Sequence, residues 1–249
     1  MAVFAAPAFY CLQRNQMTTQ SIPFPEIRRD ILRVSPEIVA QAAEFQAAIL
    51  ADVNERRGAL HGRIAAVHQS MKLAGPAVTV EVRPGDNLMI HAALAIAQPG
   101  DVLVIDGKGD LSSALMGAIM MNQAKALNLG GVVIDGAVRD VLELQDLGFP
   151  VFAAGTNPNG PTKYIPGRVN WPVSIGGVSV QPGDLVIGDA DGVVVIEREK
   201  AGSLLAPAAR KVADETRRIQ GIVRREQLRP AWLDGALKAA GILKEGDTL

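Results

Sequence analysis

Between residues 36 and 57 the apolar side chains Ile38, Ala42, Phe45, Ile49 and Val53 recur every three or four positions. That spacing places them on one face of a helix, and Ser35-Pro36 supplies its start. The period then changes. Residues 63–67 and 77–82 read as strands, the second rich in β-branched side chains. Residues 87–97 return to helical spacing. The run DVLVID at 101–106 is continuously apolar between its acidic ends, which predicts a buried strand. Residues 111–128 predict a helix of small and apolar side chains, 131–135 another buried strand, 141–147 a short helix and 151–154 a strand. Val178, residues 185–187 and residues 193–196 complete the core as β structure. A long polar helix is expected from Ala201, and the tail after Ile222 predicts one more. Strands that alternate with helices and then cluster imply an α/β protein, a layered sheet with flanking helices, whose topology stays open.

Pro-Gly-Asp occurs at Pro84-Gly85-Asp86, Pro99-Gly100-Asp101 and Pro182-Gly183-Asp184. Proline suits the second position of a tight turn and glycine the third, where φ is positive. These tripeptides read as structural punctuation. Gly107-Lys108-Gly109-Asp110 reads as a turn at a strand end, and it lacks the glycine spacing of a nucleotide loop. Gly160-Pro161-Thr162-Lys163 and Gly176-Gly177 read as loop and turn, and residues 188–192 as a hairpin connection rather than a calcium loop.

Composition narrows the classes. Of 249 residues 48% are hydrophobic and 20% charged, which is globular rather than disordered. The net charge of -1 supplies no basic field for nucleic acid. The single cysteine, Cys11, excludes an intrachain disulfide and a cysteine zinc cluster and suits a cytoplasmic location. No run reaches the roughly 18 apolar residues of a membrane span. Residues 1–16 carry no basic n-region and are broken by Pro7, so they read as a disordered extension or as an early start ahead of Met17, not as a signal peptide. The expected organisation is an extension at 1–20, one domain at 21–222 and a helical tail at 223–249.

The sharpest chemical feature is Asp135-Gly136-Ala137-Val138-Arg139-Asp140. It follows a buried strand, and strand carboxyl ends are where α/β sheets bind ligands. A guanidinium there can hold a carboxylate or enolate oxygen, and a neighbouring carboxylate can hold a hard cation. The competing reading is a surface ion pair with Asp140 as a helix N-cap. His61, His68 and His91 are scattered without ligand spacing and read as structural. No serine elbow is present. A Schiff-base lysine stays open among Lys72, Lys108 and Lys125.

The stretch GDVLVIDGKGDLSSALMGAIMMNQAKALNLGGVVIDGAVRD resembles the core signature of the RraA-like family. So do GPAVTVEVRPGDN, GFPVFAAGTNPNGPT and VSIGGVSVQPGDLVIGDADGVVVIE, and the similarity runs from about residue 35 to 220. That family includes metal-dependent class II pyruvate aldolases acting on 4-hydroxy-4-methyl-2-oxoglutarate and 4-carboxy-4-hydroxy-2-oxoadipate. Some members decarboxylate oxaloacetate, and one is a regulator of ribonuclease activity. The resemblance implies a swivelling β/β/α domain in homotrimers or homohexamers, with sites between subunits. It implies that Arg139 binds substrate and stabilises the pyruvate enolate, that Asp140 ligates Mg²⁺ or Mn²⁺, and that backbone amides of Gly117, Ala118, Ile119 and Met120 hold the pyruvate carboxylate at a helix start. A helix start near Gly117 breaks the single helix that the pattern gives for 111–128.

One departure stands out. The aldolases carry an acidic residue ahead of the Arg-Asp pair with twenty residues between, where this chain has Ala118. A carboxylate that supports a metal through water is worth roughly 10–100-fold in affinity or activity. The ribonuclease regulator departs instead at the aspartate that this chain keeps as Asp140. Asp52 stands where the aldolases have a glutamate, and Glu215 about where a neighbouring subunit contributes one. Each is a catalytic candidate against the plain alternative of a solvated helix carboxylate. Asp110 is a candidate substitute for the missing acid. The expected function is a lyase that cleaves a 4-hydroxy-2-oxo dicarboxylic acid to pyruvate, with oxaloacetate decarboxylation through the same enolate. The alternative is a non-catalytic regulatory member, with no nucleic-acid or membrane partner in either case.

Overall fold

The computed structural model describes residues 26–244 and 246–249. The expected extension at 1–20 and Cys11 lie outside the described residues. The chain opens with β1 (Glu26–Ile27), α1 (Pro36–Ala42), α2 (Ala47–Val53) and β2 (Ala65–Ala66). It continues through β3 (Leu73–Glu81), α3 (Leu88–Leu94), β4 (Val102–Met116), α4 (Ala118–Ala126), β5 (Gly131–Val138), α5 (Val141–Leu147) and β6 (Val151–Thr156). The last part holds β7 (Arg168–Val169), β8 (Val173–Ile175), β9 (Val178–Val180), β10 (Leu185–Asp189), β11 (Gly192–Ile196), α6 (Arg198–Val223) and α7 (Leu233–Ala239).

A parallel core of β3, β4, β5 and β6 carries the molecule. Its crossovers are α3, α4 and α5, as buried parallel strands require. Every position of β5 is buried, which explains why GVVID reads as a continuous apolar run. The short strands β7 and β2 add antiparallel edges, β7 to β3 and β2 to β6. The first half of β3 also pairs with β10, and β10 forms a hairpin with β11 through Ala190-Asp191, as expected for 188–192. Strands β8 and β9 form their own hairpin around Gly176-Gly177.

Two apolar clusters result. The larger fills the space around the parallel strands and includes Leu103, Ile105, Ile134 and Phe152. The smaller lies where α1, α2 and the start of α6 meet β10 and β11, with Leu50, Leu185, Ile196 and Ala208. Beyond Ala208, α6 has no buried residue, so its second half is polar in keeping with its sequence. Among the described residues no helix is long and apolar enough to cross a membrane.

Four expectations change. The helix at 36–57 is two helices, because Gln46 is extended and the Ala47 N–H is taken by Asp189 Oδ2 at 2.8 Å. The turn lets Ala42 and Leu50 both reach the smaller cluster. Residues 111–116 are strand, not helix. Asp110, Ala114 and Met116 pair with Gly136, Ala137 and Val138 of β5 after shifts of register, and that pairing decides a sequence whose small apolar residues suit either period. Gly107-Lys108-Gly109-Asp110 is therefore an irregular stretch inside β4, with φ of 61° at Lys108 and 71° at Gly109, rather than a turn into a helix. The predicted strand at 63–67 shrinks to β2.

Candidate functional site

The parallel strands β4 and β5 end side by side at Met116 and Val138, and the next residues of each build the site. Helix α4 starts immediately after Gly117, the break that the resemblance required. Its ladder begins with the Met121 N–H on the Gly117 carbonyl, so the preceding N–H groups are the helix's own orphan donors. Arg139 is fixed to the end of β4 by its N–H on the Met116 carbonyl at 3.1 Å. Asp140 follows in a left-handed conformation, φ 60° and ψ 42°.

That conformation gives Asp140 an unusual duty. It stands at the N-cap position of α5 but makes no side-chain cap there. Its Oδ2 instead accepts the Ala118 N–H at 2.9 Å, so the carboxylate caps α4. Arg139 Nε lies 3.6 Å from the same oxygen, and both side chains are over a third exposed. Gly117 makes the approach possible. A methyl group there would stand 2.8 Å from Arg139 Cγ and closer still to Asp140 Oδ2, so no larger residue fits without displacing the pair. The arrangement assembles a cation, a carboxylate and a helix N-terminus at one point.

A cleft of about 130 Å³ opens beside this pair. Its lining includes Gly117, Ile119, Met120 and Arg139, together with Asn87, His91 and Lys163. The last three were not picked out as site residues from sequence. Asn87 and His91 come from the start of α3, and Lys163 from a loop that only the folded chain brings across, so no spacing along the chain announces them. Asn87 is 3% exposed. Its Nδ2 donates to the Leu115 carbonyl at 2.9 Å, which sets the amide's orientation, and its Oδ1 has no partner among the described residues. The buried Nε2 of His91 likewise has none.

Asp52 and Glu215 are brought together elsewhere. They flank Lys211 on α2 and α6, at 2.9 Å and 3.0 Å from its Nζ. The Lys211 ammonium holds the Asp52 carboxyl below its usual range, and the two carboxylates, Asp52 first, push Lys211 up. Neither lines the Arg139 cleft. Asp110 is engaged by the Ser112 hydroxyl at 2.9 Å and is not in the cleft wall either. Of the lysines left open as amine nucleophiles, Lys108 pairs with Asp106 at 2.5 Å and Lys125 donates to the Leu147 carbonyl at 2.7 Å. Lys72 is exposed, so none of the three is desolvated.

No group of three metal-ligating side chains occurs among the described residues. A hard divalent ion does not require one, because Mg²⁺ keeps several waters and is commonly held by one or two carboxylates plus substrate. Asp140 fits that role, with Oδ2 accepting the Ala118 N–H and Oδ1 without a hydrogen bond among the described residues.

Known proteins share this framework. The family described as RraA-like, Aldolase/RraA, matches residues 38–195. A candidate 4-hydroxy-4-methyl-2-oxoglutarate aldolase of Halalkalibacterium halodurans is 38% identical over 186 residues, 75% of this chain and 89% of its own. Candidate aldolase 3 of the same specificity from Arabidopsis thaliana is 35% identical over 160 residues, 64% of this chain and 95% of its own. Among solved structures, Streptomyces coelicolor RraAS2, described as an unusual member of the RNase ES inhibitor RraA protein family, superposes with a TM-score of 0.69 at 30% identity. It covers 75% of this chain and 98% of its own.

Proposed function

The chain belongs to the RraA-like family, and from that premise we propose that it is a divalent-metal-dependent lyase cleaving a 4-hydroxy-2-oxo dicarboxylic acid, such as 4-hydroxy-4-methyl-2-oxoglutarate, to pyruvate. The observation that carries this reading is the convergence of Arg139, Asp140 and the N-terminus of α4 on one point, enforced by Gly117. The catalytic unit is residues 21–222, with 223–249 an appended tail, and the protein works in the cytoplasm as a homo-oligomer.

In this reading the first turn of α4 receives the substrate's C1 carboxylate, with the amides of Ile119 and Met120 joining the Arg139 guanidinium. Asp140 would hold Mg²⁺ or Mn²⁺, which supplies Lewis acidity at the 2-oxo group when bound. A base takes the proton of the 4-hydroxyl, the C3–C4 bond breaks, and its electron pair moves to the 2-oxo oxygen as an enolate. Arg139 stabilises that oxygen as charge develops, the kind of preorganised electrostatic help that is worth about 10²–10³ in rate. Protonation at C3 releases pyruvate. Decarboxylation of oxaloacetate passes through the same enolate. Asp52 and Glu215 serve as base or water-holding group only across a subunit boundary, in a trimer or hexamer, since in their own subunit they sit on Lys211.

Ala118 favours a second reading, a regulatory member without turnover, because it leaves the cleft without the aldolases' additional acid. Thermal unfolding separates the two. In the lyase reading, Mg²⁺ or Mn²⁺ with pyruvate raises the melting temperature of the wild type but not of Asp140→Asn. Absence of any metal effect, with co-purification of a ribonuclease, would favour the regulator.

A further inference from the structure

The three Pro-Gly-Asp turns share a backbone but not a use. All three glycines have positive φ, 71° at Gly85, 88° at Gly100 and 85° at Gly183. Asp101 and Asp184 turn back on their own turns and accept the N–H three residues before, from Gln98 at 2.7 Å and Gln181 at 2.9 Å. Asp86 does not. It is 1% exposed, and its Oδ2 reaches across to a distant loop, accepting the Thr162 hydroxyl at 2.6 Å and the Tyr164 N–H at 2.8 Å. Backbone bonds reinforce the joint, from Thr162 N–H to the Gly85 carbonyl and from Asn87 N–H to the Thr162 carbonyl. A buried carboxylate is thereby spent on fixing both neighbours of one residue, Lys163.

Lys163 is exposed, stands on the wall of the Arg139 cleft, and has no ion-pair partner among the described residues. Among those residues the side chains lining the cleft include two basic groups, Arg139 and Lys163, and no carboxylate. Arg139 has Asp140 beside it, whereas Lys163 has no such neighbour among the described residues. A flexible lysine normally loses much of its binding energy to ordering, and a backbone pinned on both sides reduces that loss.

We propose that Lys163, positioned by Asp86 through Thr162 and Tyr164, is the specificity residue that binds the second carboxylate of the substrate, the one beyond C4. This rests on the reading of the cleft as a 2-oxo-acid site. The test is therefore a matched pair of probes that separates the two. Isothermal titration of the full chain, with Mg²⁺ present, compares 2-oxoglutarate with 2-oxopentanoate, which has the same chain length and a methyl group in place of the distal carboxylate. Wild type is expected to prefer 2-oxoglutarate by about tenfold or more, the size of one charge-assisted contact. Lys163→Met should abolish that preference while keeping the affinity for 2-oxopentanoate, and Lys163→Arg should restore most of it. A preference that survives in Lys163→Met, or is absent from wild type while both ligands bind in an Arg139-dependent way, overturns the assignment and leaves the oxo-acid site standing. Failure of wild type to bind either probe removes the oxo-acid reading and this proposal with it.

Discussion

Two clusters in this protein have similar ingredients and opposite characters. At the ends of β4 and β5, Arg139 and Asp140 meet under constraints of the backbone: a glycine at which a methyl group would displace both side chains, a left-handed aspartate, and a helix whose first N–H points at that aspartate. On α2 and α6, Asp52, Lys211 and Glu215 meet as an ordinary helix-surface triplet, each charge already answered by a neighbour. The first cluster is built at a cost in conformational freedom and keeps hydrogen-bonding capacity unused nearby. The second satisfies itself. The two clusters differ in the work the backbone does to hold the groups, not in the groups themselves.

Substitutions break the comparison in graded steps. Asp140→Asn removes the carboxylate next to Arg139, so pyruvate release from 4-hydroxy-4-methyl-2-oxoglutarate should fall to the metal-only background in a steady-state assay. Gly117→Ala inserts a methyl group into the pair. A misplacement on the order of 1 Å costs about 10²-fold in rate, and turnover should fall by that much while the far-ultraviolet circular dichroism stays unchanged. Retained turnover in this variant would show that the close approach is incidental.

Asp86→Asn tests the support of the Lys163 loop through stability. The wild-type carboxyl feels burial, which raises it, but the Thr162 hydroxyl and the N–H groups of Tyr164, Leu88 and Ile165 outweigh this and hold it below the usual range. A depressed folded-state value makes its contribution fully present above the unfolded-state pKa, about 3.9, and progressively lost as pH falls through the folded value. Denaturant titrations should show a difference from wild type of about 1–3 kcal/mol at neutral pH, the usual cost of leaving buried donors unanswered. The gap should narrow on acidification below about pH 4. A pH-independent gap would place the effect elsewhere.

The smallest effects belong to the helix cluster. Glu215→Gln and Asp52→Asn should leave the melting temperature unchanged, as exposed ion pairs contribute little. If they act across a subunit boundary, kcat should still fall by about tenfold or more, in the range of lost general-base assistance and supporting contacts. Unchanged kcat in both would return them to the solvated helix face.

Much of the framework is legible in the chain itself. DVLVID and GVVID read as buried strands because parallel strands covered on both faces need no alternation; β4 holds the first from Val102 onward and β5 the whole of the second. The Arg139-Asp140 step was visible as polar chemistry at a strand's carboxyl end. Residues 111–116 were not legible, because alanine, serine and leucine satisfy either period and only the partner β5 decides. The break at 43–46 depends on Asp189, far along the chain, taking the Ala47 N–H. For the same reason Asn87 carries no signal in the chain, His91 reads as structural and Lys163 as part of a loop: that loop is held by Asp86, a residue whose tripeptide looks like its two purely structural copies.

The account stands most directly on Arg139. Pyruvate release from 4-hydroxy-4-methyl-2-oxoglutarate and from oxaloacetate should be measured with Mg²⁺ or Mn²⁺, with EDTA, and with Arg139→Ala beside the wild type. The account predicts release that requires the metal and drops by at least about 10²–10³-fold in the variant. Release from neither substrate above the metal-only background, or equal release from wild type and Arg139→Ala, would contradict it.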